Sequence, residues 1–340
     1  MEKIFARLSQ ISASLVFVVL VSTLVTLYIS AKPAIEEFGA KFLIDARWGV
    51  DVPVESPSSS DQKPAQQAPQ SSAPDAHLDG GINVGDEDDG INVGDDDDGI
   101  NVGGDGVVSN APHKEVFGGA VAIVGTVFST IIALLFAVPL AMGIAIFLSE
   151  IAAPAISRPV GVAIELLAAI PSIIYGMWGL FYFGPFIASI FGGHSVSLLV
   201  AGLVLGVMVI PFMAALSRDA INTTPDVLKE AAYAVGATKF EVIKDVVFPY
   251  AKAGIIGSII ISLGRALGET MAVAFVIGGV FEFAKSVTDP TNSIPVVLAN
   301  NFSESSGLSL ASLFYLSLIL FVVSFIVIFT AKHYFLRRGK

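Results

Sequence analysis

Residues 226–249 read DVLKEAAYAVGATKFEVIKDVVFP, a polar stretch between two long apolar runs, and its reading decides the fold. The pattern is amphipathic and helical. Asn222, Thr223 and Thr224 offer side-chain oxygens as caps, Pro225 suits a first helical turn, and Gly236 supplies a stop at which positive φ costs little. The expectation is a short helix, a sharp turn, and a second helix lying near a membrane surface.

The rest of the chain makes that surface a membrane. Of 340 residues 54% are hydrophobic and only 14% charged, and the mean hydropathy of +0.76 is outside the range of soluble domains. A spanning helix needs about 20 mostly apolar residues. Six stretches qualify, near 11–31, 119–148, 160–191, 195–216, 252–281 and 311–331. The predicted fold is therefore all-α, a polytopic membrane protein with six transmembrane helices. The second, third and fifth stretches exceed the bilayer thickness, which predicts tilt or an interfacial turn ahead of the span. The first could be a secretory signal, because Lys3 and Arg7 precede it and Ser30 and Ala31 follow; its apolar run is too long for that, and it is read as a span.

The net charge of −11 belongs to one segment. Residues 32–118 hold 18 of the 30 acidic residues and 5 of the 19 basic ones, which leaves the membrane body close to neutral. With the N-terminus in the cytoplasm, 12 Lys and Arg fall on the inner side and 6 on the outer, which predicts both termini inside and residues 32–116 outside. Cysteine is absent, so disulfides and thiolate metal sites are excluded.

The organisation predicted is an N-terminal segment and first span over 1–31, an external loop over 32–116, and a core of five spans over 117–340. Within the loop, residues 51–80 are rich in Pro, Ser, Gln and Ala, with too little apolar surface to offset the entropy of ordering. A repeat of period nine follows: GINVGDEDD (81–89), GINVGDDDD (90–98) and GINVGGDGV (99–107). Clustered Asp raises the question of Ca²⁺, but the spacing fits neither an EF-hand loop nor the G-G-x-G-x-D nonapeptide. A solvated acidic spacer is the expected role.

Glu230, Ala231, Ala232 and Gly236, with Pro249 thirteen residues on, match the EAA loop of ABC importer permeases; Val246 and Phe248 stand where that pattern has Ile and Leu. The resemblance implies a type I (MetI-like) permease fold and a coupling helix that docks on a separate ATPase subunit. The chain has no G-x-x-x-x-G-K-[ST] sequence with which to cradle ATP. Two more segments, IELLAAIPSIIYG (164–176) and LGRALGETMAV (263–273), resemble signatures of the phosphate-specific transporter (Pst) permeases. The Met-Ala-Val after Gly-Glu-Thr is similar to the PstC type rather than the PstA type. The likeness covers about 117–340, and the acidic insertion departs from it. What it implies is a PstA-like partner permease, two PstB-like ATPase subunits that bind ATP and Mg, an external PstS-like phosphate-binding protein, and location in the cell inner membrane. It implies no enzyme activity and no cofactor in this chain. Lipid surrounds the spans, and no nucleic-acid partner is expected.

A charge inside a span costs about 2.5–3.5 kcal/mol, so Glu165, Arg265 and Glu269 each need a partner or a wet cavity. Arg265 and Glu269, at i and i+4, are expected on one helix face. Either a structural ion pair or a substrate path satisfies the residues alone, and the Pst resemblance favours the path. Pro171 removes a helical hydrogen bond and predicts a bend in the third span, as a kink or as a gate hinge. Gly254, Gly257, Gly264 and Gly268 predict close helix packing. His77, His113, His194 and His333 are too scattered for metal or acid–base work. Rival readings are a permease for sulfate, molybdate or phosphonate, and a membrane-anchored cation-binding protein acting through the acidic repeat.

Overall fold

The computed structural model describes residues 2–53 and 113–337; the Pro/Ser tract beyond position 53 and the nonapeptide repeats lie outside the described residues. By its contacts the chain divides into a body, Met1–Val50 with Glu115–Lys340, and the segment Asp51–Lys114. The body is helical. Among the described residues six helices are long and apolar enough to cross a membrane, and each contains at least part of a predicted stretch.

The first helix, α1, runs Glu2–Phe38 and continues as a 3₁₀ turn, Gly39–Leu43. Strands β1 (Trp48–Pro53) and β2 (His113–Phe117) form a two-stranded sheet. Then come α2 (Ala120–Ile146), ending in a π-helical turn Phe147–Ile151, α3 (Pro154–Ala168), α4 (Ser172–Trp178) and α5 (Gly184–Phe191). The core helix α6 (Leu198–Asn222) leads to α7 (Asp226–Ala234), α8 (Lys239–Glu241) and α9 (Phe248–Leu267). Short α10 (Met271–Ala274) and α11 (Ile294–Asn301) precede the last helix, α12 (Gly307–Arg337).

The centre is α2 against α6. Ala133, Ala137, Ala141 and Ala145 recur every fourth residue of α2 and are all buried, so one helix face is smooth. Gly202 of α6 meets it so closely that a Cβ would stand 2.6 Å from Ile132 Cγ2. In lipid there is no hydrophobic drive between helices, and close packing of small residues supplies the attraction instead. On its other side α6 meets α9, where a Cβ at Gly254 would be 2.6 Å from that of Ala220 and the hydroxyls of Ser217 and Ser258 pair at 2.6 Å. Of the four glycines predicted to serve helix packing on this span, Gly254 does so most tightly, whereas Gly257 faces open space.

Away from this centre, Phe42 is fully buried and stacks on Tyr315 at 4.6 Å, and Trp48 stacks on Phe281 at 5.3 Å. The α11 segment is tied to α2: Ile294 N–H donates to Thr126 Oγ1 at 2.8 Å, and Gly125 leaves no room for a Cβ beside the Asn292 carbonyl.

Two predicted spans need correction. The stretch 160–191 is not one bent helix. The chain breaks after α3 and restarts with Pro171 at φ −56°, ψ 134° as the N-cap of α4, so Pro171 separates two helices instead of kinking one. The run beginning at 252 leaves the helix at Leu267, because Gly268 takes a non-helical conformation and only a single short turn, α10, follows.

Candidate functional site

The residues singled out in the sequence fall in two places. The first is the loop between α6 and α9. α7 forms where the sequence places it, and Gly236 adopts φ +91°, a left-handed conformation that glycine reaches without a Cβ penalty. The expected caps do not form: Pro225 is the N-cap with no side-chain bond, Thr223 Oγ1 donates back to Ala220 O at 2.7 Å, and buried Thr224 Oγ1 has no partner.

The second helix of the loop is not a separate surface helix. It starts with a capping box between Thr238 and Glu241 and runs through a π-helical stretch, Val242–Val247, directly into α9. Thr-x-x-Glu is a sequence signature of a helix start and could have located that N-terminus. The loop presents an apolar surface to solvent, with Val227 73%, Val235 86% and Phe240 72% exposed. Glu230, Ala231 and Gly236 are exposed beside them and Ala232 is half-buried.

The second place is Arg265, in the last turn of α9, where a cation is favoured by the helix dipole. Its guanidinium carbon lies 5.3 Å from the centre of the Phe212 ring of α6, a cation–π contact. Its Nε is buried and has no hydrogen-bond partner, a rare condition for a charged donor. On α4 the Tyr175 hydroxyl donates to Leu167 O at 2.9 Å.

The predicted acidic neighbours are elsewhere. Glu269 lies past the end of α9, so it does not share a helix face with Arg265; its Oε1 instead accepts from Ala272 N at 3.2 Å and caps α10. Glu165, on α3, lies 3.8 Å from Arg218 Nη1 on α6. The structure thus sets Arg265 against Phe212 and leaves both carboxylates with other partners. A further pair had no signal in the sequence, since its members are 79 residues apart: Lys229 Nζ donates to Glu150 Oε1 at 2.6 Å. Among the described residues no group of three or more His, Asp or Glu stands together as a metal site.

Comparison with known proteins agrees with this architecture. The family described as "Binding-protein-dependent transport system inner membrane component" matches residues 116–338. The phosphate transport system permease protein PstC of Pasteurella multocida is 46% identical over 249 residues, covering 67% of this chain and 78% of that protein. The protein of the same name from Haemophilus influenzae is 34% identical over 351 positions, covering 97% and 92%. Among solved structures, the alginate ABC transporter aligns with a TM-score of 0.51 at 16% identity over 64% of this chain and 78% of its own. An inward-facing MetNI methionine ABC transporter aligns with a TM-score of 0.50 at 20% identity, over 64% and 92%. These two structures bear on the fold alone.

Proposed function

The chain belongs to the family of binding-protein-dependent transport system inner membrane components and to its PstC-like phosphate permeases, and on that premise we propose how it works. It forms half of a phosphate path through the inner membrane and takes its driving force from a separate ATPase. The other half is a homologous PstA-like permease, two PstB-like subunits bind and hydrolyse ATP with Mg, and a PstS-like protein delivers phosphate from outside. The chain itself performs no covalent chemistry. Both termini face the cytoplasm, as the distribution of Lys and Arg favours, with residues 32–116 outside and the five-span core from 117 onward.

The observation that carries this reading is the exposed apolar loop built on Glu230, Ala231, Ala232 and Gly236, joined without interruption to α9. A short helix fixed by a glycine turn can pass a rigid-body movement of a docked ATPase to the spans at either end. At the far end of α9 sits Arg265. A phosphate dianion leaving water needs compensating charge, and a guanidinium supplies it with a planar fork of donors. The unpartnered Nε of Arg265 supports a role in receiving an anion. Glu269, just beyond the helix end, and Glu165 are assigned to the borders of the path, where they keep anion affinity low enough for release. Pro171, between α3 and α4, is assigned as the hinge.

Isolation of the complex in detergent and identification of the copurifying chains tests the assembly. Recovery of an ATPase and a second permease is expected; a chain that purifies alone contradicts the reading.

A further inference from the structure

α7 is a nine-residue helix with no buried residue, so its own packing fixes it weakly. Two side chains are exceptions. Ala232 is half-buried and packs against the cluster that holds Ala145, Ile221, Val242 and Val247. Lys229 reaches the π-helical turn at the end of α2 and donates to Glu150 Oε1 at 2.6 Å, and the two side chains are only 17% and 8% exposed. Asp226, the other carboxylate near Lys229, is 3.8 Å away and 88% exposed, so Glu150 is the desolvated partner. The π turn is in turn fastened to α3, because Ser157 Oγ donates to Leu148 O.

An exposed ion pair breaks at little cost, but a pair removed from water resists separation, since each partner would be left as a lone buried charge. Any displacement of α7 therefore drags the cytoplasmic end of α2 with it. We propose that Glu150 and Lys229 form a strut that makes α7 and the end of α2 move as one body, keeping ATP hydrolysis and substrate movement in step. The strut rests on the reading of this chain as a permease driven by a separate ATPase. Both are positioning residues, acting through the helices they join.

The test uses the whole complex in proteoliposomes and reads phosphate imported per ATP hydrolysed. A single substitution leaves a lone buried charge and risks misfolding, so the variants are the neutral pair Glu150→Gln with Lys229→Met and the exchanged pair Glu150→Lys with Lys229→Glu. The neutral pair is expected to assemble and hydrolyse ATP near the normal rate while the ratio falls about fivefold or more, within the usual range of coupling between sites. The exchanged pair is expected to recover at least half of the loss. A normal ratio in the neutral pair overturns the proposal, as do hydrolysis and uptake that fall in proportion, and an exchanged pair no better than the neutral one.

The chain has no cysteine, so a spin label at Val227→Cys, 73% exposed, reports on α7 separately. If the wild-type complex hydrolyses ATP but imports no phosphate, the substrate reading fails. The strut is then decided by whether the nucleotide-driven shift of that label is lost in the neutral pair, as expected, or persists.

Discussion

Arg218 of α6 lies against Gly161 of α3 so closely that a Cβ at position 161 would collide with its Nη1. The glycine admits the guanidinium, and Glu165, one turn further along α3, stands 3.8 Å from the same nitrogen. Glu165 is 62% exposed, so the pair contributes little stability.

Gly161→Ala is expected to displace Arg218 and so to remove the ion pair without touching either charge. The loss should be under about 1 kcal/mol. Combined with Glu165→Gln it should add nothing further, because both changes delete one interaction. A double-mutant cycle on the thermal unfolding of the complex checks this. Strictly additive losses would mean that the glycine and the ion pair are unrelated.

Arg265 carries the prediction for the substrate path. Arg265→Gln should lower phosphate uptake about 10- to 100-fold, the scale of losing one charge-assisted hydrogen bond or two, while the complex assembles and the binding protein still holds phosphate. Arg265→Lys keeps the charge but loses the fork, and should fall between. Uptake by isolated complexes in vesicles measures both. Near-normal uptake by an assembled Arg265→Gln complex removes Arg265 from the path.

The six spans were legible because a backbone in lipid must satisfy its own hydrogen bonds, which forces long apolar runs into helices. The turn at Gly236 was legible for a related reason, since few residues other than glycine take φ +91° without strain. The break before Pro171 was not, because residues 160–170 are at least as apolar as the span that follows and hydropathy does not report where a helix restarts. The position of Glu269 was misjudged because i, i+4 spacing assumes a helix that Gly268 ends. The partners of Glu150, Glu165 and Lys229 come from tertiary packing alone, which spacing along the chain does not encode.

Gly236→Val should strain the loop by roughly 1 kcal/mol or more, since a β-branched residue does not tolerate positive φ. The expected outcome is a folded membrane core with weakened ATPase association and loss of uptake, read by copurification and by transport together. Normal association and normal uptake would contradict the assignment of α7 as the coupling helix.

Just past the first span Asp45 holds Arg47 in a fork, at 3.0 Å from Nε and 2.6 Å from Nη2. These bonds from Arg47, against a smaller opposing effect of burial, keep the Asp45 carboxyl below its ordinary value of 3.8. A lowered value means that the stabilisation is complete above the ordinary carboxylate range and is lost as pH falls through the lowered one. The protection of the amides around residues 44–50, their exchange rate measured against that of the unstructured chain at the same pH, is therefore expected to stay constant from pH 7 down to about 4 and to fall only below that. In Asp45→Asn that protection should be lowered throughout.

The central claim is that this chain conducts phosphate under the control of ATP. The most direct measurement is accumulation of ³²P-phosphate by proteoliposomes holding the complete complex, with the binding protein outside, ATP inside, and labelled sulfate as the competing oxyanion. The account predicts phosphate accumulation that requires ATP and is unaffected by excess sulfate. Sulfate carried as well as phosphate, or phosphate flux that continues without ATP, would contradict it.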